Sequence, residues 1–201
     1  MADEKLDTQI RREQIAEAAL GVVASQGIRR LSVAAVARRV GLVPSGIYRH
    51  FKSKDEIIDA VLDLLEKRVL AIIEVSRQET DDPLERLRSV LRRHVRFIRE
   101  GRAIPRLVFS DDVHSNHPER KAQVCRIMTN YLSHVAEFVR DGQATGQIRP
   151  EIDPQTTSLM FFGMIMPAGL LWHLTDGGID VTQHAERAWH LFHRAVTSDG
   201  A

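Results

Sequence analysis

The sequence has little of the chemistry that marks a disulfide-stapled, cysteine–zinc or secreted protein. Cys125 is the only cysteine among 201 residues, which excludes an internal disulfide and a zinc site built from several cysteines. Residues 1–13 are polar and contain no apolar segment of the kind that a signal peptide needs. We therefore expect a cytoplasmic protein, in a compartment where thiols stay reduced.

Long apolar runs are scarce as well. The most apolar stretch covers residues 158–174 and includes Pro167 and His173. A membrane-spanning helix needs about 20 apolar residues, which is more than this stretch supplies. It predicts a helix buried inside the protein or against another copy of the chain, and no membrane partner.

Catalytic motifs are also missing. The chain has no glycine-rich phosphate loop, no His-Glu-x-x-His and no Gly-x-Ser-x-Gly sequence, so we expect no enzyme activity and no cofactor. Nine histidines leave a metal sensor as an alternative. The pairs His114/His117 and His190/His193 each offer two ligands, however, and spacing indicates no third, so we expect no metal site.

Charge is balanced in sum but not along the chain. Residues 1–54 contain ten Lys or Arg and five Asp or Glu, a net charge of +5, whereas the other residues contain 18 and 22, a net charge of −4. The basic N-terminal quarter indicates contact with a polyanion. Charge alone is equally typical of solvated helix faces.

Apolar residues recur every three to four positions nearly throughout, which predicts an all-α fold of about nine helices joined by short loops. Capping residues, prolines and glycines place the helix boundaries. The predicted helices cover about residues 8–25, 33–40, 44–50, 54–69, 83–100, 118–141, 154–176 and 180–196, with a short apolar piece at 104–109.

The segment from Ser32 to Glu56 predicts a helix-turn-helix, because a short helix, a glycine turn at Gly41 and a second short helix follow one another. Apolar residues on the inner side can fix the crossing of the two helices, and they are Val36, Val40, Ile47 and Phe51. The outer side of the second helix would carry groups able to enter a major groove, namely Ser45, Gly46, Tyr48, Arg49 and His50.

At these residues the chain resembles the tetracycline-repressor (TetR) family of bacterial regulators. The resemblance rests on the glycine turn, the run Ile47–Phe51 and the run Lys52–Asp55 that leads into a long helix. It implies a helix-turn-helix DNA-binding domain at residues 1–54 and an effector-binding and dimerisation domain at residues 55–201. Val43 departs from the family pattern, in which a Ser or Thr often caps the helix at this position.

The resemblance also implies which residues meet DNA. Phosphate contacts are expected from Ser32, Tyr48, His50 and Lys54. Base contacts are expected from Pro44, Ser45, Gly46 and Arg49.

The larger domain is expected to hold a pocket between its long helices, whose mostly apolar lining favours a small hydrophobic or amphipathic effector. The expected lining residues are His94, Phe97, Phe109, Met128, Tyr131, Met164 and Trp172. Taken singly, each of these residues is more typical of an ordinary core than of a ligand contact. Pro167 predicts a kink in the apolar helix, because its ring clashes with the carbonyl of Gly163.

The last two predicted helices carry more apolar residues than one buried stripe requires. Two helices from each of two copies would form a four-helix bundle with two-fold symmetry. The expected dimer interface comprises Phe162, Met166, Leu170, Ala185, Trp189 and Phe192. The alternative is that these residues are core of one subunit.

Together these features predict a ligand-responsive transcriptional regulator that binds palindromic double-stranded DNA as a homodimer. By resemblance it is a repressor that a small apolar effector releases. The alternatives are a DNA-binding protein without an effector and a helical scaffold for protein partners.

Overall fold

The computed structural model describes residues 2–100, 107–108, 110–115 and 117–197, with the backbone alone at residues 2–7 and 114. The fold is all-α, as predicted, and the described part contains ten α-helical segments. They are α1 (Ala2–Gln26), α2 (Val33–Val40), α3 (Pro44–Tyr48), α4 (Lys54–Glu79), α5 (Pro83–Glu100), α6 (Asp111–His114), α7 (Pro118–Ala144), α8 (Pro154–Gly163), α9 (Met166–Leu174) and α10 (Val181–Val196).

Several of the described helices begin with side-chain caps that the sequence indicated. The Ser32 hydroxyl accepts a hydrogen bond from the Ala35 amide at 3.2 Å, and Asp153 and Asp180 cap α8 and α10 in the same way. Ser53 and Glu56 form a capping box at α4, in which the Glu56 amide donates to Ser53 and the Glu56 carboxylate accepts from the Lys52 amide. These caps satisfy backbone donors that would otherwise lack partners.

The long apolar helix is two helices, because α8 ends at Gly163 and α9 begins at Met166. The break lies just before Pro167, where the ring would meet the carbonyl four residues back. The prediction of a distortion at Pro167 is therefore confirmed, in the form of a short turn at residues 164–165.

The chain divides into two units, the first formed by residues 1–68 and 101–125 and the second by residues 69–100 and 126–201. The predicted domain boundary at residue 54 falls inside the first unit. Leu107, Val113 and Val124 belong to the same apolar core as α1–α3. The helix-turn-helix therefore shares its core with residues beyond 54, and an independent domain at 1–54 stays a prediction.

The second unit has its own core, in which α5 packs against α10 and α9. Gly169 of α9 is buried, and a Cβ on it would lie only 3.0 Å from the Ile98 side chain of α5. Gly169 thus permits a close approach within one copy of the chain. A Cβ on Gly163 would meet nothing within 4 Å.

Within the described residues, the stretch Pro154–Leu174 is long and apolar enough to pass a simple test for a membrane span, with 33% of its most apolar window buried. Core helices of soluble proteins pass the same test.

Candidate nucleic-acid interface

The crossing of α2 and α3 rests on side chains that are wholly buried. Val36, Ile47 and Phe51 are each 0% exposed. Gly41 ends α2 with φ 75°, a left-handed conformation that glycine adopts without steric cost. The predicted inner side of the helix-turn-helix is therefore confirmed at these three positions.

The outer side of α3 is open to solvent. Tyr48 is 56% exposed, and Ser45 and Arg49 are exposed as well. Pro44 occupies the first helical position and is exposed, whereas Gly46 is half-buried against Leu42. Four of these five groups thus lie where a DNA groove could reach them.

The start of α3 lacks a side-chain cap. Val43 stands at the N-cap position, is 65% exposed and accepts no hydrogen bond through its side chain. Pro44 compensates in part, because its fixed φ suits the first turn and it has no amide hydrogen to satisfy. A helix of five residues with one uncapped end depends on tertiary contacts for its position.

The expected phosphate ligand Ser32 is exposed, and its hydroxyl accepts the cap bond from Ala35. Its own hydrogen can still be donated outward. His50 differs, because its ring is half-buried and its Nδ1 has no hydrogen-bond partner among the described atoms. Burial, followed by the charges of Arg11, Arg12 and Arg49, lowers the pKa of His50. A phosphate contact from His50 would thus come from the neutral ring.

Lys54 has an intramolecular partner that the sequence did not reveal. Its Nζ lies 2.9 Å from Oδ1 of Asp112, and the two side chains are 35% and 31% exposed. Asp112 lies in the single-turn helix α6. The ammonium group expected to meet phosphate is therefore neutralised within the first unit.

Arg120 anchors the same region. Its side chain is 2% exposed and donates to Asp59 at 2.7 Å and to the Asp55 carboxylate at 3.0 Å. It also donates to the backbone carbonyls of Asp112 and Asp55. The first two turns of α4 and the first half of α6 are thus joined by one guanidinium group. No spacing rule relates residue 120 to residues 55 and 59, so sequence reasoning missed this cluster.

In the second unit, four residues expected near an effector or an interface form one aromatic cluster. His94 is 6% exposed and Tyr131 is 2% exposed. The Nδ1 atom of His94 lies 3.0 Å from the Tyr131 hydroxyl oxygen. Phe162 lies against both rings, with centroids 6.1 Å from His94 and 5.7 Å from Tyr131. The ring centroids of Phe97 and His94 are 6.3 Å apart, in an edge-on arrangement. Phe162, expected at a dimer interface, therefore packs inward.

Burial controls the ionisation of the central pair. Removal from water lowers the pKa of His94 to about 4, because the cationic form loses its hydration. The same burial raises the pKa of Tyr131. Both groups are neutral at pH 7, and the hydrogen bond between them satisfies two polar groups that would otherwise be buried without a partner.

The other expected effector residues differ in exposure. Met128 is 37% exposed, Trp172 is half-buried, and Phe109 lies outside the described residues. Met164 is half-buried and lines a groove of about 580 Å³ in the second unit. The structure therefore brings His94, Phe97 and Tyr131 of that set together.

This groove runs between α8 and α10. Its lining residues are mostly apolar, and they are Arg149, Ile152, Asp153, Thr156, Thr157, Met160, Met164, Ala188, Leu191, Phe192, Ala195 and Val196. Met160 is 62% exposed and Leu191 is 73% exposed. Large apolar side chains that remain open to water in a patch indicate a surface that another molecule covers.

The six residues expected at a dimer interface divide between inside and outside. Ala185, Trp189 and Phe192 are 6% exposed or less, so they face the core of the unit, although Phe192 also lines the groove. Leu170 is 43% exposed and Met166 is half-buried. We expected the interface on the stripe of α10 with the bulkiest residues, whereas the exposed side of this helix carries Leu191. Leu191 lies three residues after Ala188 and four before Ala195, a spacing that is also helical.

Among the described side chains, which do not include that of His114, no group of three His, Cys, Asp or Glu residues could hold a metal ion. His117 lies 3.1 Å from Glu119 and 3.8 Å from Asp55. It belongs to the polar surroundings of Arg120.

Two short helices share a buried core here, and the second of them has an exposed polar face. This arrangement is that of a helix-turn-helix DNA-binding protein. Comparison with known proteins agrees. Residues 15–61 match the family described as bacterial regulatory proteins, tetR family, and residues 80–196 match the family described as tetracyclin repressor-like, C-terminal domain. The chain belongs to the tetR family of transcriptional regulators.

Individual relatives are distant. The fatty acid metabolism regulator protein of Bacillus subtilis is 23% identical over 168 residues, covering 84% of this chain and 86% of that protein. The nucleoid occlusion factor SlmA of Shewanella woodyi is 24% identical over 131 residues, 65% of this chain and 66% of the relative, so the match spans slightly less than two thirds of that protein. Among solved structures, the fatty acid degradation regulator FadR from Bacillus halodurans has a TM-score of 0.76 at 21% identity, covering 90% and 94% of the two chains. At this identity the structural likeness establishes the fold.

Proposed function

We propose that this protein is a homodimeric repressor that binds palindromic operator DNA and that a small apolar or amphipathic effector releases. The observation that carries the proposal is the open outer face of α3, where Ser45, Tyr48 and Arg49 are exposed above the buried Ile47 and Phe51. A rigid inner side with a polar outer side is what a recognition helix requires.

The proposed contacts follow the exposure of each group. Ser32, Tyr48 and Lys54 bind phosphates, and His50 adds a neutral donor. Arg49 and Ser45 face base edges, while Pro44 and Gly46 allow the backbone to come close. Phosphate contacts would supply most of the salt-dependent affinity, and base contacts the sequence preference.

The proposed dimer uses the outer faces of α8 and α10. Leu159, Met160 and Leu191 are 58%, 62% and 73% exposed, and a second copy would cover them across a two-fold axis. This placement replaces Ala185 and Trp189, which are buried within one copy. Two recognition helices would then meet successive major grooves about 34–36 Å apart.

The proposed effector site is the aromatic cluster around His94 and Tyr131 in the second unit. Phe97 and Phe162 would contact an apolar body, and the His94–Tyr131 pair would offer a hydrogen bond to a polar end. The names of two distant relatives, regulators of fatty acid metabolism and degradation, favour an apolar effector of that kind. An effector shifts the spacing of the recognition helices only by its different affinity for the two arrangements.

One observation favours the alternative of a DNA-binding protein without an effector. The rings of His94, Tyr131 and Phe162 lie in direct contact with one another, with centroids 5.2 to 6.1 Å apart. A ligand would have to separate these rings. A cluster that serves only as core would not open, and no compound would then raise the unfolding temperature.

Selection of bound duplexes from a random library tests DNA recognition. We expect a near-palindromic consensus and a steep fall of affinity with salt.

Light scattering should give the mass of a dimer, and a thermal-shift series with fatty acids of increasing chain length should give a rise in the unfolding midpoint. Failure to enrich any sequence would refute the proposed function. A flat thermal-shift series would support the effector-free alternative.

Placement in the cytoplasm follows from this proposal, because a regulator of this kind must reach the chromosome.

A further inference from the structure

Arg12, in the middle of α1, contacts the end of the recognition helix in two ways. Its guanidinium group donates a hydrogen bond to the backbone carbonyl of His50. Its Cζ atom also lies 4.1 Å from the centroid of the Phe51 ring. The neighbouring Arg11 is exposed, whereas Arg12 is half-buried.

The His50 carbonyl lies in the turn that directly follows α3, one residue beyond the C-cap Arg49. The last turn of α3 is held by the His50 and Phe51 amides, which both donate to the Ile47 carbonyl at 2.9 and 3.0 Å. A cation at this end also complements the partial negative charge of the helix terminus. The Arg12 hydrogen bond therefore holds the turn that fixes the C-terminal end of α3.

The need for such a contact follows from the other end of the helix. Val43 gives no side-chain cap, and α3 has only five residues. Isolated helices of this length do not form in water, so tertiary contacts must fix its orientation. The core supplies two of these contacts through Ile47 and Phe51, and Arg12 is the polar one.

From this geometry we infer that Arg12 is a positioning residue for DNA recognition, which sets the orientation of α3 through the His50 carbonyl and the Phe51 ring without itself touching DNA. The role rests on the proposed use of α3 as the recognition helix. It adds to that proposal a residue of α1 that sets sequence specificity. A phosphate ligand would instead contribute equally to the affinity for every duplex.

The test compares the full-length wild-type protein with Arg12→Met, which keeps the apolar stem and removes the charge and the donors. Arg11→Met is the matched control, because it removes the same charge from the adjacent exposed position. Binding is measured on the best duplex from the selection experiment and on a scrambled duplex of equal length, at several salt concentrations. The informative quantity is the ratio of the two affinities.

We expect Arg12→Met to lower this ratio about tenfold, the size of effect typical of losing a charge-assisted hydrogen bond. Affinity for the scrambled duplex and its salt dependence should stay unchanged. Arg12→Lys should restore part of the ratio, because it keeps a donor and the charge but lacks the planar group that covers the ring. Arg11→Met should leave the ratio at the wild-type value.

Equal losses on both duplexes, with the slope of log K against log salt reduced by about 0.9, would identify Arg12 as a phosphate ligand and overturn the inference. An unchanged ratio would overturn it as well. If Arg12→Met does not fold, Phe51→Leu tests the same contact by removing the ring face and keeping an apolar core, and an unchanged ratio in that variant is equally decisive. A wild-type protein that prefers no DNA sequence refutes the proposed function itself. If the wild type and Arg12→Met both prefer the selected duplex to the same degree, only the role of Arg12 is refuted.

Discussion

Replacing Asp112 by Asn should increase the affinity for DNA. In the structure the Lys54 ammonium lies 2.9 Å from the Asp112 carboxylate. A phosphate must therefore compete with Asp112 for Lys54. The substitution removes the competing charge and keeps the shape of the side chain, and the Asp112 carbonyl remains free to accept from Arg120.

The size of the effect follows from the exposure of the pair. Two unit charges about 4 Å apart attract by roughly 1 kcal/mol in water and about 4 kcal/mol near a protein surface. Both side chains are about one third exposed, so solvent and salt reduce this attraction to the ~0.5–1 kcal/mol measured for exposed pairs. We expect a gain in affinity of about two- to fivefold, shrinking as salt is added.

The assay is fluorescence anisotropy with a labelled duplex at several salt concentrations. Asp111→Asn is the matched control, because Asp111 is adjacent, exposed and not paired with Lys54. It reports the general effect of removing one negative charge near DNA. Lys54→Ala and the double variant with Asp112→Asn complete a double-mutant cycle, in which Asp112→Asn should lose its effect.

Two results would refute this reasoning. Equal gains from Asp111→Asn and Asp112→Asn would show that only net charge matters. The same gain from Asp112→Asn with and without Lys54 would show that the pair is irrelevant to binding.

The remaining predictions concern DNA contact, assembly, pH and stability. Tyr48→Phe should weaken binding to all duplexes by about three- to tenfold, since one phosphate hydrogen bond is lost; a change confined to one sequence in the same anisotropy assay would contradict a phosphate role. Leu191→Glu should give monomers by light scattering, while Leu174→Glu, at a comparably exposed position of α9, should not; a dimer in both would place the interface elsewhere. Burial lowers the pKa of His94 to about 4, so the unfolded chain takes up a proton at a higher pH than the folded one. The free energy of unfolding should therefore fall by at most about 3 kcal/mol as pH drops from about 6.5 to 4. Urea unfolding should show a smaller fall for His94→Gln, and a fall equal to that of the wild type would contradict the assignment. Arg120→Met should lower the free energy of unfolding by about 2 kcal/mol in the same assay. Two backbone carbonyls lose their donor, while the half-exposed carboxylates of Asp55 and Asp59 regain water. An unchanged free energy of unfolding would contradict an anchoring role.

Local chemistry made the helix-turn-helix predictable. Ser32 and Gly41 bound α2 by a side-chain cap and a left-handed turn, and both act within four residues of their own position. Ile47 and Phe51 lie one helical turn apart, so their common inward direction follows from the period of the helix. The same spacing implied that Tyr48 and Arg49 point outward.

The orientation of α10 was not predictable in this way. The helix has one stripe with Ala185 and Trp189 and another with Ala188 and Leu191, and both are apolar. Periodicity shows that stripes exist but does not tell which one meets the core of its own chain. The packing of α5 against α10 decided this, by burying Trp189 and leaving Leu191 in water.

The amino-acid sequence by itself determined most of the helices, several of their caps and the polar face of α3, because helix formation and capping depend on residues within about one turn. Only the tertiary structure decided that Lys54 meets Asp112, that Arg12 meets the end of α3 and that His94 meets Tyr131. The members of these pairs are 58, 38 and 37 positions apart. No periodic pattern connects positions so distant, and the packing of whole helices brings them together.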